Sequence, residues 1–312
     1  MDRLTESKIV LVVRRTRLDE LIRRFNTESQ ARFYIEHLGA DFSDYEREHL
    51  AYSRAVQDAQ RALSRIGRLQ VLDRAFVPNF VFGKEDTVVA LGQDGLVANV
   101  LKYLQEQPVV GVNPDPDRWD GVLLPFTVPD LPKVMPEVIR RGRTILKVTM
   151  AKAQLNTGEV LYGVNDLFIG PRSHTSARYV LEIGGRSETH SSSGIIVSTG
   201  LGSTGWLRSI MAGAAGIAGH LSGHELKIRD KGSFAWDADY LYFSVREPWP
   251  SRTSSAGITF GRIDADAPLR LVSLMPENGV IFSDGIERDF IQFNSGTRAT
   301  VTVADKAGHL IK

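Results

Sequence analysis

The hydrophobic rhythm of the chain changes near its middle. In the first half, short unbroken apolar runs alternate with stretches of helical spacing. Residues 8–13 (KIVLVV) are a β-branched run that predicts a strand buried on both faces. Leu18, Leu21, Ile22 and Phe25 recur at helical spacing, which predicts a helix over 18–38. A second helical stretch, rich in Ala, Gln, Glu and Arg, covers 44–66. RLQVLDRAF and DTVVALG follow as buried strands, then a helix over 96–105, then QPVVGVNP as a fourth strand. Strands alternating with helices predict a doubly wound, Rossmann-like α/β domain with a parallel sheet.

The second half reads as mainly antiparallel β. The Pro-rich stretch VPDLPKVMP, residues 128–136, marks a boundary, dividing 1–126 from 127–312, with the C-terminal residues free to pack back on the first domain. Beyond it TILKVTMAKAQL, EVLYGVNDLFIG, ARYVLEIGG, GIIVST, LYFSV, PLRLVSL, GVIFSDG, RDFIQFN and TRATVTVAD mostly alternate apolar with polar residues between Gly, Asn or Asp turns. Only residues 203–220, packed with Ala and Gly, read as a helix.

Composition narrows the function classes. The 312 residues suffice for two domains, and 42% hydrophobic with 24% charged residues is the balance of an ordinary globular chain. With 38 Lys+Arg against 37 Asp+Glu, no long-range field draws the chain to nucleic acid or an anionic membrane. The most basic stretch, Arg14, Arg15, Arg17, Arg23 and Arg24, is interrupted by Asp19 and Glu20 and reads as a solvated helix face. The absence of cysteine excludes disulfides, thiolate metal sites and Cys nucleophiles. No apolar run has membrane-spanning length and the N-terminus lacks a signal-peptide pattern, so a cytoplasmic protein is expected. His220 and His224 are four apart but lack the acids a zinc site would need, and no metal ligands are assigned.

Three segments carry candidate chemistry. Leu91-Gly92-Gln93-Asp94-Gly95-Leu96 follows the strand DTVVA and opens a helix. Ligands of open α/β sheets bind beyond the carboxyl ends of the strands, and a helix N-terminus favours anions. Asp94 there either takes a proton from a hydroxyl nucleophile or caps the helix. Gly163-Val164-Asn165-Asp166 lies inside an alternating run and, taken alone, is turn chemistry. Ser198-Thr199-Gly200-Leu201-Gly202-Ser203-Thr204-Gly205-Trp206 matches the dinucleotide fingerprint G-x-G-x-x-G, with Asp230 as a candidate ribose-binding acid. Its four hydroxyls also suit phosphate or ribose oxygens. Ser283-Asp284-Gly285 reads as a hairpin turn without a catalytic role.

Taken in order, the segments resemble the NAD kinase family, with its Gly-Gly-Asp-Gly-Thr box, Asn-Glu pair and Thr-Gly-Ser-Thr-Ala-Tyr segment. They stand here as Gly92-Gln93-Asp94-Gly95-Leu96, Asn165-Asp166 and Leu201-Gly202-Ser203-Thr204-Gly205-Trp206, and VVGVNPDPDRWDGVLLPF is similar to the family's Gly-Val-Asn segment. The resemblance, over roughly residues 85–290, implies an α/β domain followed by a β-rich one. It implies a kinase that uses ATP with Mg²⁺ to phosphorylate the 2′-hydroxyl of NAD or a related nucleotide or polyol. Asp94 would be the general base, with Gly92 and Gly95 bringing the backbone of its loop against the nucleotide. Asn165, Asp166, Thr199, Gly202, Ser203, Thr204 and Trp206 would contact nucleotide, and the β-rich domains would pack into a homodimer or tetramer. The chain departs from the family at Gln93, Leu96, Asp166, Gly205 and Trp206, and in a long helical insert over 25–69. Two further readings stay open: an NAD(P)-binding sensor that kept the pocket and lost the chemistry, and a dinucleotide-dependent oxidoreductase using Gly200 to Gly205.

Overall fold

The computed structural model describes residues 4–225, 228 and 232–312. Asp230 lies outside these described residues. They form two compact units, Met1–Leu146 with His309–Lys312, and Lys147–Gly308. Residues 127–146, which the Pro-rich stretch assigned to the second domain, are in the first unit.

The first unit is α/β. Its elements are β1 (Lys8–Val13), α1 (Arg17–Phe25), α2 (Glu28–His37), α3 (Ser43–Ser64), β2 (Arg68–Asp73), β3 (Thr87–Leu91), α4 (Asp94–Leu101), β4 (Pro108–Asn113), β5 (Phe126–Thr127) and α5 (Leu131–Ile139). The strands run in the order β2-β1-β3-β4, all parallel, with Val10 opposite Val88 and Val88 opposite Val109. Every residue of β3 is buried, as its unbroken apolar sequence requires. Pro132 sits in the first turn of α5, where a missing N–H costs nothing.

The helix expected over 18–38 is two helices. Asn26 takes a left-handed φ of 67°, and the Thr27 hydroxyl caps α2 by accepting from the Gln30 N–H at 3.2 Å. Asn and Thr side chains compete for backbone groups and break helices at such points. In α3, Tyr52, Ala55, Ala59 and Leu63 recur at spacings of three and four and are buried with Ile9, Leu11, Val89 and Val110.

Among the described residues, the second unit is antiparallel β with one α-helix. It holds most of β6 (Ile145–Leu155), then β7 (Val160–Gly163), β8 (Asp166–Pro171), β9 (Ala177–Ile183), β10 (Arg186–Ser192), β11 (Ile195–Ser198), α6 (Trp206–Ser222), β12 (Leu241–Val245), β13 (Phe260–Ile263), β14 (Leu269–Ser273), β15 (Gly279–Ser283), β16 (Ile286–Gln292) and most of β17 (Arg298–Ile311). One sheet runs β10-β9-β14-β17, with β6 on β17 and β7 on β6; the other runs β13-β12-β11-β8-β15-β16. Their facing side chains make one core, with Tyr179, Leu181, Leu271 and Val301 from the first sheet and Leu167, Ile169, Val197 and Phe243 from the second.

Candidate functional site

In the first unit the parallel strands end at Val13, Leu91 and Asn113, and Gly92 extends the ladder by donating to the Val112 carbonyl at 3.1 Å. Gln93 is the N-cap of α4 in extended conformation and makes no side-chain cap bond. Asp94 is the first helical residue, so its carboxylate does not cap its own helix. Instead Oδ1 accepts from the Leu123 N–H at 2.8 Å and Oδ2 from the Val122 N–H at 3.2 Å. A carboxylate has about four lone-pair sites, so two such bonds aim the group and leave room for a substrate hydroxyl.

The turn that supplies those amides is seated on β4. A Cβ at Gly111 would lie 1.9 Å from the Leu123 carbonyl oxygen, so only glycine lets the turn approach. Asn113 Nδ2 donates to the Trp119 carbonyl at 2.8 Å, and its Oδ1 accepts from the Asp115 N–H at 3.0 Å. The Gly-Val-Asn segment is thus the seat of the loop that orients Asp94. Behind it, the Tyr52 hydroxyl donates to the Leu91 carbonyl at 2.9 Å and accepts from the Arg14 N–H at 2.8 Å, bridging the ends of β3 and β1. Burial pushes its phenol up to about 12, so it stays a donor.

In the second unit Asn165 and Asp166 are not a hairpin turn. β7 pairs with β6 while β8 pairs with β11 and β15, so the chain crosses between sheets at this point. Crossing leaves three successive amides without ladder partners. Asp284 supplies one: its Oδ1 accepts from the N–H groups of Val164, Asn165 and Asp166 at 2.9, 2.6 and 3.3 Å. Asp284 has a positive φ of 56°, as its Asp-Gly turn between β15 and β16 demands. Its carboxylate, read from sequence as hairpin chemistry only, is the anchor of the crossing. The Asp166 side chain is buried beside it, and Oδ1 has no hydrogen-bond partner among the described residues. Burial first, and the Asp284 charge second, push the Asp166 carboxyl up to about 7.

The Gly-rich segment closes over this crossing. Thr199 N–H donates to the Asn165 carbonyl at 3.0 Å and its hydroxyl to the Val164 carbonyl at 2.6 Å. A Cβ at Gly202 would sit 1.9 Å from the Asn165 carbonyl oxygen, which is why glycine stands there. The Ser203 hydroxyl donates to the Gly200 carbonyl at 2.6 Å and accepts from the Phe234 N–H at 3.3 Å. Ser198, Thr199 and Ser203 are fully buried and hold the loop, whereas Thr204 is exposed. Trp206 stacks on Phe168 at 6.0 Å and 3° and lies under the Arg246 guanidinium at 5.4 Å. With Phe282, Arg172 and Ser193 they line a cavity of about 310 Å³. Phe168 and Arg246 line this cavity, and their sequence context marks neither. The strand before the loop, β11, is antiparallel to both neighbours, so the parallel βαβ setting of a dinucleotide fingerprint is absent.

No family profile and no curated protein matches the sequence. Solved structures do. An NAD kinase from Archaeoglobus fulgidus, in complex with ATP, superposes with a TM-score of 0.58 at 14% identity, over 98% of this chain and 93% of that one. Yeast NADH kinase, complexed with NADH, gives 0.56 at 17%, over 98% and 84%. The chain has the NAD-kinase fold. Against that fold its departures have physical addresses. Leu96, where the box that the sequence resembles has Thr, is 2% exposed and packs into the core. Gln93 places a partly exposed side chain beside Asp94. Trp206, where the segment that the sequence resembles has Tyr, carries the stack on Phe168.

Proposed function

We propose that the chain is an NAD-kinase-like phosphotransferase, moving the terminal phosphoryl group of ATP to the 2′-hydroxyl of NAD or a related nucleotide or polyol. The observation that carries this is Asp94, fixed by two amides at the head of α4 and at the carboxyl end of the parallel sheet. A fold shared with an ATP-bound and an NADH-bound kinase supports it. The acceptor oxygen would bond to the γ-phosphorus as the bond to the ADP oxygen breaks, while Asp94 takes the hydroxyl proton. Mg²⁺ would arrive on the ATP phosphates as part of the substrate. Asn165, Asp166, Thr204 and Trp206 would hold the nucleotide, and Thr199, Gly202 and Ser203 would shape the loop under it. The same reading includes a cytoplasmic homodimer or tetramer, checked by light scattering. The test of activity is purified protein with ATP, Mg²⁺ and NAD, assayed for NADP, followed by a screen of nucleosides and polyols. Absence of product from every acceptor would overturn it.

A second reading is favoured by the loop itself. With Leu96 turned into the core and Gln93 beside the carboxylate, the chain would bind NAD(H) or NADP(H) as a sensor without turnover. Calorimetric binding together with inactivity towards all donors would select it.

A further inference from the structure

The strand order β2-β1-β3-β4 has its topological switch point between β1 and β3, since β1 connects outward to β2 and β3 outward to β4. Open α/β sheets take their ligands in the crevice at that point, beyond the carboxyl ends. One wall of the crevice is the Gly92–Asp94 loop; the other is residues 14–17, the start of the basic stretch 14–24 that reads from sequence as a solvated helix face. Arg23 and Arg24 are exposed on α1 as that reading expects, but Arg14 is not. The Arg14 side chain is only 11% exposed and runs beside Gly92, its Cδ 3.7 Å from where a Cβ on that glycine would stand.

Guanidiniums from three segments meet the carboxylates of Asp44 and Glu48 here. Arg14 Nη2 donates to Glu48 Oε1 at 2.8 Å, and Arg17 Nε donates to Glu48 Oε2. Arg17 Nη2 reaches Asp44 Oδ2 at 2.6 Å, and Arg118, from the segment after β4, grips Asp44 with two bonds of 3.0 and 2.6 Å. Both carboxylates stand on α3, inside the helical insert. Hydrogen bonds from Arg118 and then Arg17 hold the Asp44 carboxyl well below its usual range, so it stays charged. Arg47 also lies 3.6 Å from Asp44 and from Asp41, so four cations on three anions leave one positive charge in surplus, and the Arg17 and Arg118 side chains remain 43% and 24% exposed. Arg14 Nε is buried with no hydrogen-bond partner among the described residues. Guanidiniums locked in planar forks lose little freedom when a phosphate arrives.

We propose that Arg17 and Arg118, positioned by Asp44 on the insert, form a binding site for the polyphosphate chain of the phosphoryl donor. It rests on the kinase reading for the donor's identity and on geometry for the site. It also gives the insert a role. The loop has lost the hydroxyl that a Thr at position 96 would offer, and the insert brings charge to the same crevice from the β1 side.

The test is calorimetric binding of MgATP and, separately, of inorganic tripolyphosphate to the full chain at low and high salt. Arg17→Ala and Arg118→Ala are each expected to weaken binding by about tenfold or more, the loss of one charge-assisted bond, while Arg23→Ala on the exposed side of α1 leaves it unchanged. Arg17→Lys, which keeps charge and loses the fork, should fall between. Asp44→Asn removes a negative charge, so a simple field effect would tighten anion binding; loss of positioning predicts that it weakens. Loss with both probes makes this a polyphosphate site, and loss with MgATP alone makes it a nucleoside triphosphate site. Unchanged binding in folded Arg17→Ala and Arg118→Ala proteins, or no binding to the wild type, would overturn the proposal. NADP formation is scored apart: a chain that binds through these arginines without making NADP keeps the site and loses the kinase reading, and unchanged binding with NADP formed does the reverse.

Discussion

Two carboxylates in the second unit show how burial sets the chemistry of a residue. Asp284 spends one oxygen on three backbone amides, and Asp166 beside it is pushed from the usual 3.8 to about 7. The folded state therefore keeps a proton that the unfolded chain releases above about pH 4. Stability from this group is full below that value and is lost as pH rises towards 7, on the order of 4 kcal/mol. Asp166→Asn should flatten that slope. Urea unfolding of both proteins at acid and neutral pH checks it, and an unchanged slope in the variant would contradict it. Asp284 shows what one sequence cannot reveal: Ser-Asp-Gly is good hairpin chemistry and is one here, yet its side chain serves a strand crossing some 120 residues earlier. Turn composition reports local backbone, not the distant amides that a turn side chain will satisfy.

Backbone approach decides which glycines matter within the elements. Gly111 and Gly202 each face a carbonyl oxygen that a Cβ would meet at 1.9 Å, whereas Gly95 and the Gly213 and Gly216 of α6 have nothing within 4 Å. Gly111→Ala should displace the turn that holds Asp94, and Gly202→Ala the loop over Asn165, each costing about 2 kcal/mol or more. Gly213→Ala and Gly216→Ala should each stabilise by about 0.5–1 kcal/mol, because alanine is the better helix former. Thermal melts of the four variants would show opposite signs; equal effects would refute the packing argument. Tyr52→Phe leaves the Leu91 carbonyl and Arg14 N–H without their bridge and should cost about 1–2 kcal/mol, read by the same melts. Most elements were legible because strands buried on both faces are unbroken apolar runs, as in β1, β3 and β4. The division between α1 and α2 was not, since the apolar spacing continues through Asn26 and only the Asn-Thr pair marks the break.

For the whole molecule, the change from unbroken to alternating apolar runs foretold an α/β unit followed by an antiparallel β unit, and the NAD-kinase fold bears that out. The three Gly- and Asn-bearing segments stood out in the sequence because each breaks a strand pattern. The seat of Asp94 on the turn over Gly111, and the arginines gathered by Asp44, were not: both depend on loops brought together across strand ends, which periodicity does not encode. The account turns on Asp94 as the base. The direct measurement is phosphoryl transfer by wild type and Asp94→Asn under the same ATP, Mg²⁺ and NAD, with nucleotide affinity measured on both. The account predicts that NADP formation falls by at least about 100-fold while affinity holds. Full activity in a folded Asp94→Asn protein would contradict it.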